Sequence, residues 1–233
     1  MQYSNPYIEL CLEGSSSVFK GLNQKEKETI AEHHSYALFK KGELLFKEGE
    51  KSRGLVCLAS GKVKVFKHGV GCREQIIRMM RQQGYIGYKT LFSDNTWPVS
   101  AAAIEDSAIC VLERITLVMV LRKNADLALK FIKLISEELS FSNNRIVSLT
   151  QKHVRGRLAE SLLMLRDTYG FEADGKTIRV LLSREDIAHL SSMTTSNAIR
   201  TLSNMAAEGI IGLERRKISI LESVELERIC EQG

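Results

Sequence analysis

The sequence predicts an α+β chain in three parts: an all-β block, a long helix, and a compact helical module closed by a β-hairpin. Three observations predict it. Across 37–114, short apolar or alternating runs (ALF, ELLF, GLVCLA, KVKVF, EQIIRMM, VSAAAI, SAICVLE) are punctuated by glycines at 42, 49, 54, 61, 69, 71, 84 and 87, the texture of short strands in a sandwich or barrel. Glycines then stop until Gly156 and the period changes. Ala128, Ile132, Ile135, Leu139, Ser142, Ile146 and Leu149 follow one another at spacings of four, three, four, three, four and three, the a/d seam of a coiled coil. Finally, SREDIAHLSSMTTSNAIRTL at 183–202 holds two short helical patterns around a break. The resulting divisions are 1–123, 124–150 and 151–233.

Taken in order, 22–35 (LNQKEKETIAEHHS) reads as a short polar helix. Within the β block, KHGVGC is expected to be a hairpin tip, with Gly69 and Gly71 supplying positive φ. The long helix has one narrow apolar seam, which buries little by itself, so a second copy is its natural partner. The plainer alternative is a helix lying on the β block through that stripe. Phe131 and Leu134 point to another side and are available for such docking, which leaves the seam for a dimer. Residues 154–166 form a further amphipathic helix, Asp174–Gly175 a turn, and 177–181 a short strand.

Ser183 is a good N-cap, and Asp186 three residues on can reach back to it. Ser191, Ser192 and Met193 make the turn. In the second helix, from about Thr194 to Ala207, Ala198, Leu202, Met205 and Ala206, with Ile199 beside them, form the inner stripe. The other face carries Thr195, Ser196, Asn197, Arg200, Thr201, Ser203 and Asn204 and no acid before Glu208. Arg can donate two parallel hydrogen bonds to guanine, Asn can pair with adenine, and hydroxyls can bond bases or phosphates. A lone polar helix face is usually just a solvated surface. Here Gly209 stops the helix and IIGLERRKISIL follows as strand, basic tip, strand, with Arg215, Arg216 and Lys217 placed to meet a sugar–phosphate backbone. The module therefore reads as a winged helix-turn-helix for DNA.

Composition is ordinary for a globular chain of 233 residues, 44% hydrophobic and 26% charged. The net charge is +5, yet 151–233 holds 12 basic and 12 acidic residues, so a nucleic-acid footprint must be a local arrangement. No apolar run reaches the ~18–20 residues of a membrane span. The start, MQYSNPYIELCLEG, shows no secretion signal, and the expected location is the cytoplasm. Cys11, Cys57, Cys72, Cys110 and Cys230 form no Cys-x-x-Cys pair and no zinc spacing, which argues for free thiols; Cys57 and Cys110 sit in apolar runs and pack as small hydrophobes. Cys72 would be an oxidisable thiol if Arg73 lowered its pKa, though an exposed inert thiol is the plainer reading. No catalytic triad, phosphate loop or metal-ligand motif marks an enzyme.

With these residues in view, the chain resembles the Crp/Fnr family of bacterial transcription regulators. The resemblance runs from about Leu22 to Ile220. KKGELLFKEGE and LASGKVKVFK are similar to strands of the family's β-roll, GYIGYKTLF to the segment that caps it, VRGRLAESLLML to the helix after the dimer helix, and LSREDIAHLSSMTTSNAIRTLSNMAAEGII to the recognition unit. The resemblance implies a cyclic-nucleotide-binding-domain-like jelly roll that senses a signal, a homodimer, a two-fold symmetric double-stranded DNA site with half-sites about one helical turn apart, and RNA polymerase as a protein partner.

Departures from the family pattern narrow this. Nucleotide-binding members follow the cap's Gly with a Glu for the ribose and place an Arg before a Ser-Ala pair for the cyclic phosphate. Here Tyr88 follows Gly87, and Val99 precedes Ser100. A phosphate there would forgo charged hydrogen bonds worth about 1.5–3 kcal/mol each, so cyclic AMP is not the expected effector. Trp97 and Pro98 stand near the lost Arg, and are expected to fill the space rather than line a pocket. Gly87, Tyr88, Val99 and Ser100 mark where an effector pocket would be. The oxygen-sensing members' iron–sulfur cluster uses bunched N-terminal cysteines, and Cys11 alone does not supply them. Haem would have to draw on His33, His34, His68, Met79 or Met80; a surface His pair is ordinarily solvated and His68 lies in the hairpin tip, which argues against it. Many members place a Glu where Ser196 stands, so the half-site should differ at one or two base pairs. The resulting expectation is a DNA-binding regulator answering to an effector other than cyclic AMP, or to none. The competing class is a ligand-binding module that controls a partner protein without touching DNA.

Overall fold

The computed structural model describes residues 5–93 and 96–233; the first four residues of the N-terminal stretch lie outside them. Contacts group the chain into two compact units. One runs to Lys67 and resumes at Met80–Phe141; the other joins His68–Met79 to Ser142–Gly233.

The first unit begins with α1 (Pro6–Glu13) and α2 (Gln24–Glu32). Asn5 and Asn23 cap them, the second in a full capping box with Glu26. In chain order the strands are β1 (His34–Phe39), β2 (Leu44–Phe46), β3 (Gly54–Ser60), β4 (Val63–His68), β5 (Glu74–Met80), which falls in the segment grouped with the second unit, β6 (Tyr85–Ile86), β7 (Ser100–Ala103) and β8 (Ser107–Glu113). They form two four-stranded sheets, ordered β1-β8-β3-β6 and β2-β7-β4-β5. The expected β-roll is therefore present.

The continuous apolar run of β3 has a direct cause, since both faces of its sheet are covered. Leu55, Cys57 and Ala59 face a core built with α1 and α2, while Val56 and Leu58 face the core between the sheets. In β8, Cys110 and Leu112 join the first core and Ile109 the second. Fully burying a Leu, Val or Ile side chain contributes about 1.5–3 kcal/mol, so these two strands anchor the unit. Cys57 lies directly opposite Cys110 in the β3–β8 register, and both are buried with Cys11 of α1. The Cys110 sulfur shares a hydrogen bond with Cys11 that favours deprotonation of Cys11 and opposes that of Cys110. Bonding to Cys57 and burial leave Cys11, like Cys110, far above the usual thiol range.

Two helices follow, α3 (Arg114–Lys123) and α4 (Ala125–Gln151). Leu127 and Phe131 of α4 are buried in the helix-covered core. Of the seven seam residues, Ser142 is half-buried and the other six divide. Ala128 and Ile135 pack partly against that core, while Ile132, Leu139 and Ile146 are 58%, 62% and 60% exposed, and Leu149 is exposed beside them. Leu129 and Val147 extend the open apolar ridge. No helix among the described residues is long and apolar enough to cross a membrane.

In the second unit, α5 (Val154–Tyr169), α6 (Arg184–Leu190), α7 (Thr195–Ala207), the hairpin β9 (Ile211–Glu214) and β10 (Lys217–Ile220), and α8 (Ser223–Gln232) follow in order. The helix break falls at 152–153, and Gly156 lies inside α5. It is Gly for close packing, since a Cβ there would stand 2.5 Å from the backbone of Gly233. The strand expected at 177–181 is reduced to single bridges, Phe171 with Ile178 and Thr177 with Ser219. The Asp174 carboxylate takes the hydroxyl of Thr177 (2.6 Å) and the backbone N–H groups of Thr177 and Lys176, which pull its pKa down to about 2 and fold the segment as a turn. At the tip between β4 and β5, Gly71 has φ 68° as expected, but Gly69 is extended at φ −97°, and Cys72 takes the second left-handed position at φ 58°.

Candidate nucleic-acid interface

Ser183 caps α6 in a capping box with Asp186, as its spacing predicts. Thr194 caps α7, accepting from the N–H of Asn197. Between them the chain turns at Ser192 (φ 54°), and the N–H of Met193 donates to the carbonyl of Ala188 at 3.0 Å. Ala198, Leu202 and Met205 are buried beneath α7. Ala206 is half-buried and Ile199 is 47% exposed. One step of ~100° from Ala198 carries Ile199 off a stripe whose centre runs 198–202–205, so it belongs to the rim.

The opposite face presents Thr195, Ser196, Arg200 and Asn204 exposed, with Asn197 and Thr201 partly so. Arg200 Nη2 donates to Asn197 Oδ1 at 2.9 Å, so the two base-reading candidates steady one another. The Thr201 hydroxyl donates back to the carbonyl of Asn197. Arg215, Arg216 and Lys217 are exposed at the β9–β10 tip, where Arg215 has φ 53°. Arg184 at the start of α6 donates to the carbonyl of Arg215 at 3.0 Å and ties that tip to the helix pair.

Sequence reasoning missed the residues that hold the turn. Arg145 Nη2 donates to the carbonyl of Leu190, and Arg157 to those of Ser191 and Ser192. Gln75 Nε2 donates to the carbonyl of His189 at 2.8 Å, with the Glu74 carboxylate 3.7 Å from the His189 ring. Four successive carbonyls at the end of α6 are thus taken by side chains, which answers the open-ended demand of a short helix. Burial lowers the pKa of Arg145, which the Glu160 carboxylate 3.3 Å away partly offsets. Arg155 pairs with Glu208 past the end of α7, Nη1 to Oε1 at 2.6 Å. No local periodicity could have signalled these long-range bonds.

The four residues marked for an effector are arranged as follows. Gly87 has φ 98°, and a Cβ there would stand 2.7 Å from the indole of Trp97. Trp97 is buried and stacks on Phe46, centroids 3.8 Å apart at 12°. Tyr88 belongs to the helix-covered core, and the partly buried Val99 packs against the core between the sheets. The Tyr88 hydroxyl donates to Glu138 of α4 at 2.7 Å, and the Ser100 hydroxyl accepts the N–H of Glu48 at 3.0 Å. Among the described residues, no group of three or more His, Cys, Asp or Glu is placed to hold a metal ion.

A family model for the cyclic nucleotide-binding domain matches 36–124, and one for the Crp-like helix-turn-helix domain matches 156–229. The chain belongs to the Crp/Fnr family of transcription regulators. Among its relatives, the CRP-like cAMP-activated global transcriptional regulator of Mycobacterium tuberculosis is 25% identical over 91% of this chain and 96% of its own. The anaerobic regulatory protein of Bacillus subtilis is 26% identical over 93% and 88%. In fold, FixK2 from Bradyrhizobium japonicum superposes with a TM-score of 0.76 at 22% identity, covering 84% of this chain and 96% of that one. A Crp/Fnr-family regulator from Eubacterium rectale gives 0.72 at 21%, covering 90% and 95%. This Crp/Fnr chain thus joins a cyclic-nucleotide-binding-type roll to a DNA-binding module.

Proposed function

We propose that this Crp/Fnr chain acts as a homodimer on a two-fold symmetric double-stranded DNA site, and that its roll answers to an effector other than cyclic AMP, or to none. In this reading 1–123 senses, 124–150 dimerises and 151–233 reads DNA. RNA polymerase is its protein partner at the promoter, in the cytoplasm. The observation that carries it is the face of α7: Thr195, Ser196, Asn197, Arg200, Thr201 and Asn204 stay open while the opposite stripe is buried, and Arg215, Arg216 and Lys217 flank it. Phosphate contacts at the tip supply affinity and α7 supplies sequence. The seam residues Ile132, Leu139, Ile146 and Leu149, exposed on one chain, support pairing with a second copy. Ala128 and Ile135 flank that contact, and Ser142 sits within it.

Against cyclic AMP stand the uncharged Val99, the indole of Trp97 beside Gly87, and the Tyr88 hydroxyl already given to Glu138. A phosphate buried against Val99 would gain no charge from that side chain to replace its hydration. The test is a gel shift against genomic fragments with Arg200→Ala as the comparison. Wild type should select a few fragments, and the variant should lose about 1–3 kcal/mol of that preference, roughly 10- to 100-fold. Equal, weak binding of all fragments by both proteins would support instead a sensor that controls a partner protein.

A further inference from the structure

We propose that the cleft at the end of the helix-covered sheet is a ligand site for a small organic anion, one that joins a phosphate or carboxylate to a short apolar group. The cleft lies where β1, β3 and β8 meet α3, and has a volume of about 560 Å³, inside the roughly 300–1,000 Å³ of small-molecule sites. Two guanidiniums line it. Among the described residues, no side-chain hydrogen bond or ion pair engages that of Arg53. Arg114 is braced through Nε, which donates to the carbonyl of Leu91 at 3.2 Å, and among the described residues neither Nη group has a hydrogen-bond partner. One carboxylate faces the same space, that of Glu113, and it already accepts the Thr116 hydroxyl at 2.7 Å. The balance is positive. The ring of His33, fixed by Nδ1 on the carbonyl of Thr29 at 3.0 Å, adds a polar wall. Val111 and the exposed Ile115 add an apolar one.

A braced, planar guanidinium is matched to the oxygens of carboxylate or phosphate. A cation would be repelled, and a neutral ligand would leave two guanidiniums unanswered. The apolar wall and the limited volume select a compact molecule over an extended acidic segment. The cleft is wired to the cap of the roll, through Arg114 to Leu91 and through Ser52, whose hydroxyl lies 3.0 Å from that of Thr90. It is separate from the space beside Gly87 that Trp97 occupies, and it stands whether or not the chain reads DNA.

Calorimetry on the full chain, without DNA and at constant ionic strength, tests it with inorganic phosphate, phenyl phosphate and penta-glutamate as probes. The basic tip also attracts phosphate, so Arg215→Gln is the control. Phenyl phosphate should bind at one site and more tightly than inorganic phosphate. Arg53→Gln and Arg114→Gln should each weaken it about tenfold or more, the loss of one charge-assisted hydrogen bond, and Arg215→Gln should leave it unchanged. If Arg114→Gln folds poorly, Arg53→Gln decides alone, since its guanidinium braces none of the described residues. The proposal is overturned if phenyl phosphate shows no saturable binding by ~10 mM, a ceiling well above ordinary metabolite affinities, if binding follows Arg215 rather than Arg53, or if penta-glutamate alone binds.

Discussion

Tyr88 shows how one side chain can tie the cap of the roll to the long helix. It follows Gly87, and its hydroxyl reaches Glu138, a carboxylate only 6% exposed on α4, with Lys89 Nζ 3.5 Å away. Removing one donor from a buried carboxylate costs about 1–3 kcal/mol. Tyr88→Phe should therefore lower the melting temperature by about 2–4 °C per kcal/mol for a chain of this size, read by calorimetry. An unchanged melting curve would show that the bond contributes nothing. Sequence alone singled out Tyr88 but not its partner, because the two residues are fifty positions apart and no periodicity links them. Cys11, Cys57 and Cys110 were likewise readable only as separate small hydrophobes; the β3–β8 register and the docking of α1 bring them together.

Among the elements, α4 and α7 were the most legible, because a helical period is local and repeats. What the period could not say is which seam residues the chain's own core would claim. Ile135 packs partly on that core, so substituting it would confuse unfolding with dissociation. The clean variant is Ile132→Lys with Leu139→Lys, both on the open ridge. It should sediment as a monomer that keeps its circular dichroism, and lose about 10²- to 10⁴-fold in operator affinity with the second half-site. A variant that remains dimeric would remove the seam from the interface. The turn at 174–177 was legible as a turn through Asp174–Gly175, whereas the strand after it was not formed, since the Asp174 side chain claims the backbone N–H groups of Lys176 and Thr177. Its folded pKa, about 2, lies below the ordinary 3.8 of an Asp carboxyl. Stability from this turn is therefore full above pH ~4 and lost as pH falls toward 2. Amide exchange at Thr177 should rise in that window, and Asp174→Asn should flatten the rise.

For the whole molecule, the order of roll, long helix and winged reader was visible in strand texture, heptads and the two-helix pattern. The grouping of His68–Met79 with Ser142–Gly233 was not. That hairpin reads as part of the roll because it is written between roll strands, yet Gln75 and Glu74 meet His189 at the end of α6. Long-range hydrogen bonds of this kind leave no trace in composition or period, so bracing of the reader can be found only in three dimensions. The chain holds a single tryptophan, and the fold has put it at the joint between the cap of the roll and its inner strands, flat on Phe46 with its ring edge over Gly87. Nature has thereby installed an optical gauge: any event that lifts the cap wets that one indole and reddens its emission, so the inner state of the roll can be followed by fluorescence in unlabelled protein.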